Sequence, residues 1–406
     1  MNAHLVCIGG EDHALRIPFL LALRERGFSV TAVSTAKGEP FAAAGIPHLA
    51  YRFDRFSSRW SEWKSVLELR RILDRLQPDI VQSFDTKPNL LAPLAARGRY
   101  AVVRTINGLG WLFSSSEPRA LALRPVYCGL QALVSRWTAA TVFQNRQDRQ
   151  LFRRYHLLGG STDHLIGSSG IDVANFERAR AASPPAAALR AELGLGDAEL
   201  VMFVGRLTRQ KGIATLLDAV PLVAARRPDA RFVLVGQRDS EGPFAIPDHL
   251  LERAGPLVLA TGPRKDVPAL LSLASVFAFP TEYREGIPRV LLEAGLARLP
   301  IVASDMPGCS DVVEPGRNGH LVPPGSATAL ADRIVDLLGN TKLARAMGLQ
   351  SEAIVKERFQ LVQVLDQYQG VYARILGGNP RSGRAGPARS GKLRAPTATA
   401  GIGNDA

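Results

Sequence analysis

Short apolar runs alternate with helical patterns along most of the chain. Twelve of these runs have the length and apolar composition of strands. They are residues 4–8, 29–33, 79–83, 102–106, 140–143 and 164–166 in the first half, and 200–204, 231–235, 257–260, 276–279, 301–303 and 319–322 in the second. Regular alternation of strand and helix is typical of parallel βα units. We therefore expect an α/β fold of two doubly wound, Rossmann-like domains facing each other across a cleft.

Changes in composition suggest where these domains begin and end. Residues 172–182 are the expected linker, because a Pro-initiated helix pattern starts a new unit around residues 183–195. The pattern predicts a first domain over residues 1–178 and a second over 179–360, with helices at about 211–225 and 287–297 in the second. A helix over 361–376 is expected to cross back and brace the first domain. Residues 377–406, rich in Gly, Pro and Arg, are expected to be a disordered basic tail.

Length and composition support a large globular protein. The 406 residues exceed one ordinary core, and 46% hydrophobic with 21% charged residues is enough apolar content to bury two. The cysteines at 7, 128 and 309 have neither zinc-site nor disulfide-framework spacing, so a reduced, cytoplasmic setting fits best. The N-terminus does not resemble a signal peptide, and no apolar run reaches the roughly 18 residues of a membrane span.

The formal charge of +13 calls for an anionic partner. Residues 1–178 carry +8, residues 179–376 carry +1 and the tail carries +4. We expect no nucleic-acid binding, because zinc-finger, RNA-recognition and basic-zipper signatures are all missing from the sequence. The excess in the first half and the tail instead favours an anionic membrane surface.

Two segments of the first half are candidates for contact with a membrane. Residues 52–75 hold seven basic and four acidic residues, interleaved with Phe53, Phe56, Trp60 and Trp63. An ordinary helix with a core stripe of Leu67, Ile72 and Leu76 explains this segment equally well. Residues 119–137 fit either a helix lying on the bilayer or a core helix.

The segment REGIPRVLLEA, residues 284–294, carries the most informative pair of carboxylates. Pro288 suits the first turn of a helix, which places Glu285 in the preceding loop and Glu293 about 12 Å further along the axis. One carboxylate can then bind a sugar while the other holds a ribose diol, and the free amides of the helix start suit a phosphate.

A second strand, loop and helix start lies at FVGRLTRQKGI, residues 203–213. Arg206 and Lys211 are expected at the carboxyl end of the strand, where two fixed cations can neutralise a diphosphate leaving group. No pair of aspartates is separated by one residue, so we expect no metal and no other cofactor.

In the order and spacing of these motifs the chain resembles the retaining glycosyltransferases of family 4, which have the GT-B fold. The resemblance covers about residues 1–376 and implies that Arg206 and Lys211, with Gly205, bind the nucleotide diphosphate. It further implies that Glu285 contacts the donor sugar and Glu293 the ribose. A final group of donor contacts is implied at Gly9, Gly10, Arg264 near the base, and Gly286 with Ile287 near the phosphates.

Other stretches resemble the subgroup that builds bacterial surface polysaccharides on undecaprenyl diphosphate. They are residues 85–97, which include Lys87, residues 105–113, the IGSSGID before the linker, and residues 304–313. The resemblance differs at Asn107, because many members place a histidine there against the donor sugar, and asparagine cannot carry a proton. Asn107, Lys87 and His13, which closely follows the first strand, are candidate contacts to the acceptor or sugar.

The resulting hypothesis is that the protein transfers a sugar from a nucleotide diphosphate donor of the UDP type. An N-acetylhexosamine is one candidate for the transferred sugar. The acceptor is a polyprenyl-diphosphate-linked saccharide at the inner face of the plasma membrane. A sugar-nucleotide epimerase of similar fold and a non-catalytic nucleotide-sugar sensor remain alternatives. A Rossmann-type dehydrogenase fits poorly, since residues 4–14 have only Gly9 and Gly10 where G-x-G-x-x-G is required.

Overall fold

The computed structural model describes residues 3–35, 37–52, 59–238, 244–253 and 255–378. Two all-parallel sheets form its framework. The first has seven strands in the order β3-β2-β1-β4-β5-β6-β7, and the second has six in the order β10-β9-β8-β11-β12-β13. The strands are β1 His4–Ile8, β2 Ser29–Ser34, β3 His48–Ala50, β4 Ile80–Phe84, β5 Ala101–Ile106, β6 Ala140–Phe143, β7 Thr162–Leu165, β8 Glu199–Val204, β9 Ala230–Val235, β10 Val258–Gly262, β11 Val276–Phe279, β12 Ile301–Ser304 and β13 Gly319–Val322.

Sixteen α-helices of the described chain connect these strands and cover the sheets. They are α1 Ile17–Glu25, α2 Glu39–Ala43, α3 Arg59–Leu76, α4 Pro88–Ala96, α5 Gly110–Ser114, α6 Pro118–Ser135, α7 Arg146–Arg154, α8 Val173–Ala181, α9 Ala186–Glu192, α10 Ile213–Ala224, α11 Asp248–Arg253, α12 Val267–Leu271, α13 Arg289–Leu296, α14 Ala327–Gly339, α15 Thr341–Arg358 and α16 Leu361–Gly377.

The expected α/β class with two doubly wound domains is confirmed. All twelve predicted strands are present, and most are short apolar runs buried between helices, whereas β7 and β10 are only partly buried. The sequence missed β3, a three-residue edge strand that is only partly buried. The expected linker, residues 172–182, contains α8, whose N-cap Asp172 accepts a hydrogen bond from the amide of Asn175.

Helix α16 crosses back from the second domain to the first, as predicted. Its buried face packs with the strands and first helix of the first domain, and Leu365, Tyr368 and Tyr372 belong to that core. Two buried hydroxyls fix its position: Tyr372 donates to Gln82 Oε1 at 2.9 Å, and Tyr368 lies 3.0 Å from Thr105 Oγ1. The predicted tail lies outside the described residues from position 379 onward.

In each sheet the strand order reverses direction at one place, between β1 and β4 and between β8 and β11. Ligands of doubly wound sheets bind at the carboxyl ends of the strands beside such a switch point. A cavity of about 790 Å³ lined by Gly194, Glu199, Asp229 and Val258 lies at the opposite, amino ends of β8 to β10. The two switch points are therefore the places to examine for function.

The tyrosine contacts of α16 predict a measurable loss of stability. Replacing Tyr372 by Phe leaves the fully buried amide oxygen of Gln82 without its donor, which costs about 1–3 kcal/mol. Urea unfolding should show the lower midpoint, whereas Val362→Ala at an exposed position of the same helix should leave it unchanged. Equal midpoints for Tyr372→Phe and the wild type would contradict this role of the hydroxyl.

Candidate functional site

Lys211 and Glu285 meet at the switch point of the second sheet. Lys211 ends a short 3₁₀ turn, Arg209–Lys211, after β8, and Glu285 lies in the loop between β11 and α13. The Lys211 ammonium donates to Glu285 Oε1 at 2.6 Å, and Thr281 Oγ1 donates to the same oxygen at 3.2 Å. The structure thus brings together a cation and a carboxylate that the sequence placed 74 residues apart.

Gly205 and Arg206 lie beside this pair in the chain, at the carboxyl end of β8. Gly205 has a φ of +151°, and a Cβ there would lie 3.2 Å from the ring of Phe203, so glycine suits the turn. Arg206 follows with an exposed side chain. The strand end therefore presents one partly buried and one exposed cationic position, Lys211 and Arg206.

Glu293 lies two turns along α13, which begins after its N-cap Pro288. Its carboxylate accepts from Arg289 Nε at 2.9 Å, and its side chain is 18% exposed against 45% for Arg289. The Glu293 side chain is therefore the less exposed member of this ion pair. Glu293 is held on the helix, separate from the Lys211 pair.

The amides at Gly286 and Ile287 do not stand free for a phosphate in this arrangement. Gly286 N donates to Asn107 O at 2.8 Å, and Ile287 N faces Gln144 Oε1 at 3.4 Å. A Cβ on Gly286 would lie 2.0 Å from the same Gln144 oxygen. The two amides are thus occupied by the first domain.

Arg264 is held by acidic neighbours after β10. It donates to both Asp266 oxygens, at 2.9 and 2.6 Å, and to Glu192 Oε1 at 2.7 Å. These hydrogen bonds, that to Asp266 foremost, raise the pKa of the guanidinium further. Its strand is the outer one of the second sheet, so Arg264 lies two strands away from β8 and the switch point.

The switch point of the first sheet holds a second ion pair, Arg16 with Asp85. Asp85 follows β4 in a left-handed conformation, φ +70°, and accepts from Arg16 at 2.7 Å, from Gly10 N at 3.1 Å and from Asn107 Nδ2 at 3.1 Å. Burial alone raises the pKa of Asp85, but Arg16 and the Gly10 amide outweigh it and the net pKa is lowered. Asp85 is therefore an anion at neutral pH.

Asn107, at the position where many members of the family that the sequence resembles carry histidine, is thus hydrogen-bonded to Asp85. Its amide nitrogen is used, whereas its Oδ1 is buried and, within the described part of the chain, accepts no hydrogen bond. An orphaned buried acceptor is costly unless a ligand or water supplies a donor. Asn107 can therefore receive a hydroxyl group.

The sequence suggested His13 as a contact to the acceptor or sugar. In the structure, His13 lies beneath the first loop and does not reach the surface of the cleft. It is fully buried, with its ring 5.7 Å from that of Phe41 and 6.1 Å from that of Phe84. A Cβ on Gly9 would lie 2.1 Å from His13 Nδ1, so the missing side chain of Gly9 makes room for His13. Burial, with Arg16 nearby, lowers the pKa of His13 to about 3.

Lys87 lies on the flank of the first domain, next to Glu62 at 3.4 Å. It borders a groove of about 340 Å³ between α3, α4 and α6. The apolar lining residues of this groove are Trp63, Val66, Leu90, Leu91, Leu94, Val126, Leu130 and Val134. Lys87 is thus a neighbour of an apolar surface, two residues from Asp85 in the chain.

Several residues of the site escaped sequence reasoning. One set is the ion pair of Arg16 and Asp85. A second set joins the two domains and consists of Arg284, Asn145 and Asp148. The available signal was position, because Asp85 and Asn145 each follow a predicted strand end closely. Among the described ranges, no three His, Cys, Asp or Glu side chains are grouped to hold a metal ion, and no helix has the length and apolarity to span a membrane.

The pKa of His13 predicts how stability depends on pH. An unfolded histidine titrates near 6.5, so below that pH the unfolded chain binds a proton at His13 that the folded chain does not bind. The free energy of unfolding therefore decreases as the pH is lowered. Between pH 7 and 5 the wild type should lose about 2 kcal/mol more free energy of unfolding than His13→Gln. His156→Asn, at an exposed position, is the control, and parallel curves for wild type and His13→Gln would contradict the assignment.

Two family models match this chain, one over each of the two sheets. Residues 19–160 match the family model Glycosyltransferase Family 4, and residues 198–340 match Glycosyl transferases group 1. A solved structure of Anabaena HepE in complex with UDP and glucose covers 92% of this chain and 100% of its own, at 20% identity and a TM-score of 0.74. This likeness concerns the fold.

Curated relatives match at higher identity. A mannosyltransferase of Mycolicibacterium smegmatis, the GDP-mannose-dependent alpha-(1-6)-phosphatidylinositol monomannoside enzyme, is 31% identical over 64% of this chain and 67% of its own. The N,N'-diacetylbacillosaminyl-diphospho-undecaprenol alpha-1,3-N-acetylgalactosaminyltransferase of Campylobacter jejuni is 26% identical over 82% of this chain and 88% of its own. The chain spans about half the length, 52% and 49%, of two further curated relatives. With both sheets matched by family models, the chain belongs to the family 4 glycosyltransferases and has the GT-B fold.

Proposed function

We propose that this protein transfers a sugar from a UDP-sugar to a polyprenyl-diphosphate-linked saccharide, with retention of configuration and without a metal. The observation that carries the proposal is the Lys211–Glu285 pair at the switch point of the second sheet. It places a cation for a diphosphate beside a carboxylate for sugar hydroxyls. The setting is the inner face of a bacterial plasma membrane, in the synthesis of exopolysaccharide, capsule or O-antigen.

The donor binds to the second domain. Lys211 and Arg206 neutralise the diphosphate, and Glu293 accepts from the ribose hydroxyls. A UDP-sugar is chosen because the similarly folded HepE was solved with UDP and glucose. The GDP-mannose named for the mycobacterial relative is the competing donor class.

The sugar lies between the two switch points. Glu285 accepts from hydroxyls on one side, and the unpaired Oδ1 of Asn107 accepts a hydroxyl on the other. Asp85 is anionic but already bonded to Arg16, Gly10 and Asn107, so its role is to hold Asn107 in place.

The reaction proceeds through an oxocarbenium-like transition state, as at other glycosidic centres. The bond between the anomeric carbon and the phosphate oxygen breaks, and its electron pair leaves with UDP. The acceptor hydroxyl attacks from the same face, and its proton passes to the departing phosphate oxygen. The enzyme supplies position and positive charge at Lys211 and Arg206.

The acceptor approaches the first domain. Helix α6 exposes a row of apolar side chains and α3 exposes two more; they are Leu121, Leu123, Val126, Leu130, Leu133, Trp63 and Leu67. Large exposed apolar surfaces on soluble folds mark partner or membrane contacts. Together with the +8 of residues 1–178, this surface supports attachment to an anionic bilayer that carries the lipid-linked acceptor. The undecaprenol-linked substrate named for the Campylobacter relative supports the same acceptor class.

Residues 119–137 combine both interpretations, because α6 buries Ala120, Gln131 and Val134 on one face and exposes apolar side chains on another. A core stripe in α3 that includes Leu67 is disfavoured. Leu67 is 51% exposed, and the fully buried positions of α3 are Leu69 and Leu73. Phe53 and Phe56 lie outside the described residues, and the side chain of Trp60 does as well.

Substitutions at the donor site test the proposal. With radiolabelled UDP-sugars, GDP-mannose and membrane extract, the wild type should yield lipid-extractable label. Lys211→Ala should lower kcat about 100-fold because the leaving diphosphate loses its cation, and Glu293→Gln should weaken UDP binding about tenfold. Calorimetry measures the binding.

Arg226→Ala, which removes an exposed ion pair to Asp332 in the same domain, is the matched control and should behave as wild type. Turnover of free nucleotide sugar without acceptor would favour an epimerase. Nucleotide binding without any turnover would favour a sensor. Unchanged turnover and affinity in both variants would contradict the site.

The membrane assignment is tested by flotation with phosphatidylglycerol-rich vesicles. The double variant Val126→Ser, Leu130→Ser removes apolar area from the exposed face of α6 and should bind about tenfold more weakly. Leu349→Ser, an equally exposed apolar position on α15 of the second domain, should bind as wild type. Equal loss in both variants would show that α6 is not the docking face.

A further inference from the structure

The loop that carries Glu285 is bonded to the first domain along its length. Gly110 N donates to Arg284 O at 3.0 Å, Arg284 N donates to Ser114 Oγ at 2.7 Å, and Gly286 N donates to Asn107 O at 2.8 Å. The two neighbours of Glu285 in the chain, Arg284 and Gly286, are therefore fixed by the opposite domain.

A buried ion pair joins the domains at the same loop. Arg284 Nη2 donates to Asp148 Oδ1 at 2.8 Å, and the Asp148 side chain is fully buried while that of Arg284 is 19% exposed. A carboxylate buried this deeply is strongly destabilising when its partner is removed. The pair therefore favours the state in which the domains touch.

Asn145 connects this ion pair to Glu285. It caps α7 by accepting from Asp148 N at 2.7 Å, and its amide nitrogen donates to Asp148 Oδ2 at 2.8 Å and to Glu285 O at 3.0 Å. One side chain of the first domain thus touches both the buried carboxylate and the backbone of the candidate sugar-binding residue.

The charges around Asp148 reinforce this dependence on the second domain. Burial raises the pKa of Asp148 and so does Asp311, whereas Arg284 and Asn145 lower it. Both Arg284 and Asp311 belong to the second domain, so separation of the domains would remove both of these charges and leave Asn145 as a partner of Asp148.

We propose that Asn145 and Asp148 are positioning residues of the first domain that set Glu285 in place through its backbone and through Arg284. This inference rests on the proposed function, because Glu285 acts there on the donor sugar. The contacts that hold Glu285 are then complete only when the acceptor-binding domain is in place. Sugar transfer is thereby coupled to domain closure.

The second domain holds the Glu285 side chain by its own means as well, through Lys211 and Thr281. Loss of the interdomain contacts should therefore spare nucleotide binding and reduce the catalytic step. Asp148→Ala and Arg284→Ala should each lower kcat about tenfold or more, with the Kd for UDP within about threefold of wild type.

Because the two residues act as one unit, the Asp148→Ala, Arg284→Ala double variant should be within about twofold of the worse single variant. Asp148→Asn keeps a hydrogen-bond acceptor for Arg284 and should recover part of kcat. Arg153→Ala is the matched control, because this arginine of the same helix pairs with Asp163 inside the first domain, at 2.7 Å. Multiplicative losses, or UDP affinity lost in step with kcat, would overturn the proposal.

A second measurement needs no turnover. Spin labels at Arg154→Cys and Lys342→Cys, both exposed and in different domains, report the interdomain distance in a Cys128→Ser background. Arg284→Ala should shift the distribution to longer distances and Arg153→Ala should not. An unchanged distribution would overturn the coupling even if transfer is never detected, whereas a shift without turnover in wild type would contradict only the proposed function.

Discussion

The contact between the Glu285 loop and the first domain is the constraint on which the rest of the structure depends. The backbones approach so closely that side chains are excluded on both sides: a Cβ on Gly108 would lie 2.5 Å from the carbonyl carbon of Glu285, and one on Gly286 would lie 3.1 Å from the carbonyl carbon of Asn107. Gly108, at φ +102°, also needs a conformation that other residues rarely adopt. The two domains therefore meet backbone to backbone at the place where the donor sugar is expected.

The two switch points have matching designs and different electrostatic tasks. Each holds one cation and one carboxylate, Arg16 with Asp85 and Lys211 with Glu285. In the first, the carboxylate has four donors around it and is largely satisfied. In the second, the described residues give the Glu285 carboxylate two donors, Lys211 and Thr281, so more of its acceptor capacity is left to a ligand. This asymmetry suits a second domain that binds a charged donor although residues 179–376 carry a net charge of only +1.

The sequence was sufficient wherever local pattern decides the structure. Buried apolar runs identified twelve strands, and strand ends placed Lys211 and Glu285 at one edge because parallel strands end together. It failed where packing between distant segments decides. Glycine at position 9 reads as a turn, but its role is to admit the buried ring of His13. Asp148 lies in the strongly charged sequence of α7, yet its carboxylate is fully buried and pairs with Arg284, 136 residues later.

Asn107 shows how such packing bears on chemistry. A histidine beside anionic Asp85 would tend to be held protonated, and a second cation near Arg16 would alter the charge of this side of the cleft. Asparagine keeps the neutral balance of the Arg16–Asp85 pair and still offers an acceptor, its unpaired Oδ1. In a front-face reaction the acceptor proton leaves with the phosphate oxygen, so no protein group at this position needs to titrate. An asparagine at position 107 is therefore compatible with the proposed transfer, in which the sugar hydroxyl is held here and the diphosphate is neutralised from the opposite domain.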